Sequence, residues 1–467
     1  MNGDMDATTL IYIGFLLTGT AVTIKFQPAM AVAIAYLAGI IFLPVSTMTV
    51  PDTNHVSADS PYWIMPVALP SVGFLTKASV ASLTALCVAL FRSAKTFADF
   101  RPHWVDIPIF ALCLWPMLQL ASTDASPDAV QASLYLFVIW GTPWLLARLF
   151  FNDRDGQLSF IDAFVGLTLL LAPIALFESW SDARIYQWLY GPHPFADVGI
   201  DRYIGHRPLA MFEDGNQYGL WMCCAALMAI WRAKHASVDT HRTARKIVAA
   251  ILLTLAVASQ SVGALVLLAF GAAILLSGPA LMWLRKAFVP MALLFALAMS
   301  VYLSGVIPLR TIAKETAVGH AIWSGLRASG RGSLSWRIGQ DQKALPIIQE
   351  NLIAGSGQWD WWQPLGGRPW GFILLMVGQF GLIGICLAFS SMLYAMWTRV
   401  QPVGQSDHRN RRFSAGDPGL VFAVMMILVM LDALLNAFVI LPLLLIAGGL
   451  VLPSKGSSPD RPSTSDT

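Results

Sequence analysis

Arginine side chains collect in two long polar segments of the chain, residues 179–215 and 307–369, and each segment stands between apolar runs. Arginine keeps its charge and binds phosphate oxygens through a fixed fork of N–H donors. Several arginines at a membrane surface would therefore suit a substrate that carries a lipid-linked pyrophosphate. The alternative is that they are ordinary solvated loop charges. The basic residues that we consider for substrate contact are Arg202, His206, Arg207, Arg331, Arg337 and Arg368.

An acidic pair, Glu213 and Asp214, follows Arg207 at the start of the next apolar run. A carboxylate that is partly removed from water accepts a proton more readily, so both residues are candidate general bases. The alternative for Asp214 is a helix N-cap, because acidic residues are favoured at the first helical turn. His206 is a weaker candidate base. We favour catalytic roles for Arg207 and Arg337, since each stands near an apolar run beside a motif with proline or tryptophan.

Tryptophans are concentrated at the end of the second polar segment. Aromatic rings stack on the apolar faces of sugars, and Trp359 and Trp370 are therefore candidate substrate contacts. Tryptophan is also the standard residue of the membrane–water interface, which is the alternative interpretation. A sugar carried on a lipid would lie at that same depth, so both interpretations can hold together. The tryptophans in question are Trp359, Trp361, Trp362 and Trp370.

The composition predicts an all-α, polytopic membrane protein that positions these residues. Hydrophobic residues make up 56% of the 467 and charged residues only 12%, whereas soluble domains carry about 25% charged residues. A membrane-spanning helix needs roughly 20 mainly apolar residues. Thirteen such runs are present, or twelve if the last two form one irregular span, within a single domain over 1–452. We expect the polar tail, 453–467, to be disordered and cytoplasmic. The predicted spans lie near 8–24, 29–46, 69–91, 107–121, 129–147, 158–178, 216–231, 247–260, 263–282, 288–306, 370–397, 419–434 and 437–452.

Charges in the short loops predict the orientation of the helices. Lys and Arg are enriched on the cytoplasmic side of membrane proteins. If the basic loops are cytoplasmic, the two long polar segments face the periplasm, and we expect the larger one to contain short amphipathic helices. The basic residues that set this orientation are Arg92, Lys95, Arg101, Arg148, Arg154, Arg232, Lys234, Arg242, Arg245, Lys246, Arg285, Lys286, Arg409, Arg411, Arg412 and Lys455.

Several function classes lack their sequence signatures. The net charge of +3 is small and scattered, which does not indicate nucleic acid. The five cysteines lie in apolar runs without a disulfide or metal spacing. A Walker A loop is absent from the sequence, and we predict no metal and no cofactor. Ionisable residues inside the predicted spans are few, with Asp162 and Asp432 as the main cases, and internal repeats are not evident. Both observations weigh against a coupled transporter.

Three pieces of sequence, in this order, resemble the O-antigen ligase and polymerase superfamily, whose members join glycans carried on undecaprenyl pyrophosphate. The first is HRPLAMFEDGNQYG, which enters a predicted span. The second is ASQSVGALVLLAFGA, and the third is SWRIGQDQKALPIIQENLIAGSGQW followed by a span with GQFGLIG. The resemblance covers roughly residues 200–390 and rests on the order and spacing of the pieces.

Two departures from that pattern distinguish the branches of the superfamily. Trp370 occupies the place where ligases that act on lipid A have a histidine, and tryptophan cannot accept a proton. Val262 stands where the family usually has arginine. These departures point away from lipid A ligation and favour the polymerase branch. The alternatives that stay open are a glycan ligase, an inactive or accessory member of the superfamily and, from another class, a transporter or flippase of lipid-linked sugars.

The resemblance implies a metal-independent, inverting glycosyl transfer at the periplasmic face of the bacterial inner membrane. Repeat units linked to undecaprenyl pyrophosphate would be polymerised into exopolysaccharide or O-antigen. By position, Arg207 and Arg337 would bind and activate the pyrophosphate leaving group, with Glu213 or Asp214 as the base. The implied partners are the lipid-linked glycan, membrane lipid, and a chain-length regulator or export complex.

Overall fold

The computed structural model describes most of the chain, and all of its regular structure in the described part is helical, without a β-strand. The prediction of an all-α fold is confirmed for these residues. The described ranges are 7–23, 25–44, 75–120, 126–181, 183–191, 205–235, 242–305, 315–328, 332–358, 361–365, 369–400, 416–434, 436 and 442–451.

The α-helices follow the apolar runs closely. Short 3-10 segments, Trp104–Asp106 and Gln363–Leu365, and a π-helical segment, Phe137–Gly141, complete the described helical structure. In chain order the α-helices are α1 Ala7–Thr23, α2 Pro28–Phe42, α3 Lys77–Ala98, α4 Ile107–Leu120, α5 Ser126–Leu136, α6 Thr142–Phe150, α7 Arg154–Leu170, α8 Ala172–Trp180, α9 Ile185–Tyr190, α10 Gly215–Lys234, α11 Arg242–Ala258, α12 Val262–Leu276, α13 Gly278–Leu303, α14 Ala317–Ala328, α15 Gly332–Glu350, α16 Phe372–Val400, α17 Pro418–Asp432 and α18 Leu443–Gly449.

Five helical stretches among the described residues are long and apolar enough to cross a membrane. Several shorter apolar helices, such as Pro28–Phe42 and Val262–Leu276, accompany them. The chain therefore has the helices of a membrane protein, while the count of twelve or thirteen spans and their orientation stay predictions. The five stretches are Lys77–Ala98, Ala129–Phe150, Arg154–Trp180, Lys286–Leu303 and Phe372–Trp397.

Helix α10 forms the centre of the bundle and is buried over most of its length. It packs against α7, α11, α12 and α17. Small side chains in its middle, Cys223 to Ala226, allow the neighbouring backbones to approach closely, as is common between membrane helices. Trp221 stacks on Phe164 with ring centroids 4.3 Å apart, and its indole N–H donates to Thr168 Oγ1. These contacts therefore fix the rotation of α10 about its own axis.

The long helices define two ends of the bundle. Helix α7 begins where Arg154 donates to the carbonyl of Gly416, just before α17. Helix α8 ends at the other side, close to Glu178, and α10 begins there at Asp214. We call the end with Glu178, Asp214 and Asp432 the loop end, and the other the opposite end. The described parts of both long polar segments approach the loop end.

Helix α16 is broken at Gly381, whereas the sequence predicts one continuous span over 370–397. Gly381 has φ 69° and ψ −174°. The break removes the helical partners of two carbonyls and two N–H groups, and a turn at residues 351–357 replaces them. Ser356 N and Gly357 N donate to the carbonyls of Gly378 and Gln379, while Leu382 N and Ile383 N donate to those of Leu352 and Ile353. Buried peptide groups are therefore paired throughout this crossing.

Gly355 and Gly381 meet at this crossing. A Cβ at Gly381 would lie 2.2 Å from the carbonyl oxygen of Ile353, and one at Gly355 would lie 2.4 Å from that of Gln379. Gly355 also has a positive φ of 78°. Both positions therefore require glycine because two backbones touch there. The crossing fixes the C-terminal end of α15 against α16.

Candidate functional site

Arg207 lies at the loop end and is only 2% exposed. Its Nε donates to the carbonyl of Ser259 at 2.9 Å, and an Nη donates to Asn216 Oδ1 at 3.1 Å. Ser261 Oγ shares that amide oxygen at 3.2 Å. Gly215 is required beneath the guanidinium, since a Cβ there would lie 2.2 Å from Arg207 Cζ. Arg207 therefore joins the start of α10 to the link between α11 and α12.

Glu178 organises the turn that carries Arg207. This carboxylate is 1% exposed and accepts the N–H groups of Leu209, Ala210 and Ile185 at 2.8–3.1 Å. It also pairs with Arg184 Nη1 at 3.3 Å, and the same Nη1 donates to the Arg207 carbonyl at 2.7 Å. A buried carboxylate needs such partners, because an unpaired one would be strongly destabilising. The turn is thus held by a side chain from the end of α8.

Glu213 and Asp214 have distinct surroundings. Asp214 is the N-cap of α10 and accepts the Asn216 N–H at 2.6 Å, which is the alternative that the sequence left open. Glu213 is 3% exposed and lies 3.7 Å from Lys77 Nζ. Lys77 belongs to the first turn of α3, is itself buried, and donates to the carbonyl of Met211. The acidic pair is therefore fixed at the loop end, and its role as a base stays a prediction.

Arg337 approaches the same end from α15. It is half-buried, and its Nη1 donates to Asn436 Oδ1 at 2.5 Å. Asn436 in turn donates to Asp432 Oδ1 at 2.7 Å. The guanidinium carbon lies 5.0 Å from the ring centroid of Trp370, within the range of a cation–π contact. These contacts orient the guanidinium between two later parts of the chain.

Asp341 lies one turn beyond Arg337 on the buried face of α15, together with Ala344 and Ile348. Its Oδ1 accepts the N–H of Trp370 at 2.6 Å and that of Gly371 at 3.3 Å. Burial raises the pKa of Asp341 to about 6, although the two N–H donors and the charge of Arg337 act in the other direction.

Asp432 connects the two arginine groups. It ends α17, which packs against α10, and its carboxylate interacts electrostatically with both Arg337 and Asp214. Arg207, Glu213, Asp214, Arg337 and Trp370 therefore gather at one end of the bundle.

The other predicted site residues have separate outcomes. Arg202, Arg331, Trp359 and Arg368 lie outside the described residues. His206 is half-buried on the Arg207 turn. Two further tryptophans of the predicted aromatic group, Trp361 and Trp362, are buried core residues. Trp361 packs on Gly378 and donates to the carbonyl of Leu375.

Sequence reasoning missed four residues of this site: Lys77, Glu178, Asp341 and Asn436. Charged residues at the edges of the apolar runs were the available signal for Lys77 and Glu178. For Asp341 the signal was its spacing of one helical turn from Arg337. In the described part of the chain, no group of three or more His, Cys, Asp and Glu side chains could hold a metal ion.

The loop end thus holds the half-buried Arg337 and Trp370, the buried Arg207 and several carboxylates, near the N-terminus of the buried helix α10. Such a set can bind an anionic group and move a proton next to it. Comparison of the chain with known proteins finds no matching family model, no matching curated protein and no matching solved structure.

Proposed function

We propose that this chain is a membrane-embedded glycosyltransferase. It polymerises oligosaccharide repeat units linked to undecaprenyl pyrophosphate into exopolysaccharide or O-antigen, at the periplasmic face of the bacterial inner membrane. The observation that carries the proposal is that Arg207 and Arg337 lie at the same end of the bundle. They come from two separate long polar segments, and both lie at the loop end, where Asp432 interacts with Arg337 and with the Asp214 cap.

The physical reason is the charge of the leaving group. When a sugar leaves undecaprenyl pyrophosphate, negative charge develops on the bridging phosphate oxygen. Fixed guanidinium groups in a site with little water stabilise that charge strongly. Arg337 is half-buried and can reach the phosphate directly, while the buried Arg207 supports it from the N-terminus of α10. The positive end of that helix acts in the same sense.

The reaction needs no covalent intermediate on the protein. The acceptor hydroxyl attacks the anomeric carbon of the donor sugar, and the bond from that carbon to the pyrophosphate oxygen breaks. The configuration at the anomeric carbon is inverted, and undecaprenyl pyrophosphate leaves. The half-buried ring of Trp370, beside Arg337, offers an apolar face for a sugar.

The lipid-linked glycans of a deletion strain test this function. They would be separated by mass and compared with those of the strain complemented with the wild-type chain. We expect single lipid-linked repeat units to accumulate while polymer is lost. Long lipid-linked chains that never reach an acceptor would instead indicate a ligase. Unchanged glycans would overturn the carbohydrate function and favour the transporter.

A further inference from the structure

The acidic residues nearest to the two arginines differ in what their carboxylates contact. Asp214 caps α10, Glu213 lies beside the Lys77 ammonium, and Asp432 accepts from Asn436. Asp341 is held through one oxygen only, because both the Trp370 and Gly371 N–H groups bind Oδ1. Within the described residues, its Oδ2 has no hydrogen-bond partner.

Gly371 borders Asp341 Oδ2. A Cβ at Gly371 would lie 3.5 Å from this oxygen and 3.0 Å from the carbonyl oxygen of Leu434, so the glycine keeps a side chain out of the gap between them. Arg337 stands one helical turn away on the same helix. A carboxyl oxygen that is fixed in direction and adjacent to the phosphate-binding arginine has the placement that a general base needs.

Among the described residues, few charged and titratable groups face Asp341. Arg337 interacts with it from α15, and Tyr302 interacts with it from α13. Helix α16 and the residues before it contribute the two N–H donors. Asp432 of α17 interacts with Arg337. Titration of the Asp341 carboxyl is therefore set by burial, by Arg337 and by two fixed dipoles.

We propose that Asp341 is the general base of the glycosyl transfer, which rests on the function proposed above. Its Oδ2 accepts the proton of the acceptor hydroxyl as that oxygen bonds to the anomeric carbon. The bond from the anomeric carbon to pyrophosphate breaks in the same step, and the electron pair leaves with the phosphate oxygen. The proton then passes from Asp341 to water, which restores the carboxylate. Trp370 contributes its backbone N–H to the base and not its side chain.

The test is Asp341→Asn in purified full-length protein, assayed for polymer formation from a lipid-linked repeat unit. The asparagine oxygen can still accept the Trp370 N–H, but the amide cannot accept a proton. We expect kcat to fall by about 10²–10⁴-fold with an unchanged KM for the donor, because general base catalysis contributes about that factor. Asp417→Asn, at the N-cap of α17 on the opposite end, is the matched control and should keep the wild-type rate.

The pH profile separates a base from a purely structural carboxylate. Below a pKa of about 6 the carboxyl is protonated and cannot accept a proton, so the wild-type rate should rise as pH increases through about 6. That rise should vanish in Asp341→Asn and persist, at a lower plateau, in Asp341→Glu. A wild-type rate in Asp341→Asn, or an unchanged rise with pH in that variant, overturns the proposal.

Further outcomes are also decisive. If Asp341→Asn does not accumulate, Asp341→Glu decides the matter, because a rise in rate with pH that persists at a lower plateau supports the base. An Asp341→Glu protein with wild-type rate and no rise contradicts it. If the wild-type protein forms no polymer from lipid-linked repeats, the proposed function fails. If wild type and Asp341→Asn are equally active, the inference alone fails.

Discussion

Two arginines at the opposite end of the bundle, Arg148 and Arg232, have different partners from Arg207 and Arg337 at the loop end. At the opposite end, Arg148 Nε pairs with Asp106 Oδ1 at 2.9 Å, and both side chains are buried. Arg232 forms a two-pronged pair with Asp162, at 2.7 and 2.5 Å. Each pair ties a helix end to its neighbour, which is a fastening role.

At the loop end, Arg207 comes from the turn before α10, and Arg337 comes from α15. Their hydrogen bonds include neutral acceptors, namely the Ser259 carbonyl and the side-chain amides of Asn216 and Asn436. Such bonds fix the direction of a guanidinium group, and Arg337 also interacts electrostatically with Asp341 and Asp432. The comparison teaches that residue type alone does not separate fastening from function; the element that carries the arginine and the partner that orients it do.

The largest expected effect is on stability, at the opposite end. Arg148→Ala leaves the buried Asp106 carboxylate without its ion-pair partner, and breaking a buried pair in this way costs about 3–5 kcal/mol. Thermal unfolding of the detergent-solubilised protein measures the loss. Arg232→Ala is the control, because its pair is partly exposed and should contribute at most about 1 kcal/mol. Equal effects of the two variants would contradict the assignment of Arg148 as a buried fastener.

Arg337→Ala should lower activity and leave stability nearly unchanged, which is the reverse of the effect expected for Arg148→Ala. We expect polymer formation to fall by on the order of 10²–10³-fold, as for loss of one charge-stabilising donor, with little change in protein level. Arg337→Lys should restore only part of the activity, since lysine lacks the bidentate fork. Polymer yield and membrane protein level in the complemented strain are the two measurements. Wild-type polymer in Arg337→Ala would remove Arg337 from the mechanism.

Glu178→Gln should lower both stability and activity. The amide keeps the shape of the carboxylate but weakens its ion pair with Arg184 and its three backbone contacts. We expect a loss of about 1–3 kcal/mol in stability, together with lower activity, because the turn that carries Arg207 loosens. The unfolding temperature and the rate of polymer formation should decline together. An unchanged rate of polymer formation at reduced stability would mean that the position of this turn does not affect the function of Arg207.

The smallest effect is expected for Trp370→Phe. A phenyl ring keeps part of the cation–π contact with Arg337, which contributes about 0.5–1 kcal/mol at exposed sites. The backbone N–H that donates to Asp341 is untouched by the substitution. A modest rise in KM with constant kcat would indicate a sugar contact. A shift in unfolding temperature alone would favour a packing role.

The positions of the helices could be predicted because each depends on local sequence. Runs of apolar residues mark α2, α10 and α17 within a few residues of their ends. The break in α16 could not be predicted in this way, since GQFGLIG is apolar and would continue a helix by itself. It depends on a turn near Gly355 that offers its own peptide groups. At this break, a tertiary contact determines the backbone conformation, and local helix propensity does not.

The site was predictable only in part, for the same reason. The capping position of Asp214 follows from its place before an apolar run, and the structure has it there. The contact of Lys77 with Glu213 depends on two segments far apart in sequence. The hydrogen bond from the Trp370 N–H to Asp341 also requires α15 to lie against the start of α16. No periodicity in a single segment carries that information.

The break at Gly381 has a consequence for how the chain enters a lipid bilayer. An unpaired peptide group in hydrocarbon is strongly unfavourable, and the break frees such groups unless the turn at 351–357 has already docked. The turn precedes α16 in the chain, so it is synthesised before the helix with which it pairs. Helix and turn would therefore insert together as one unit. The segment with Arg337 and Asp341 would be seated during biosynthesis, before the last helices of the protein exist.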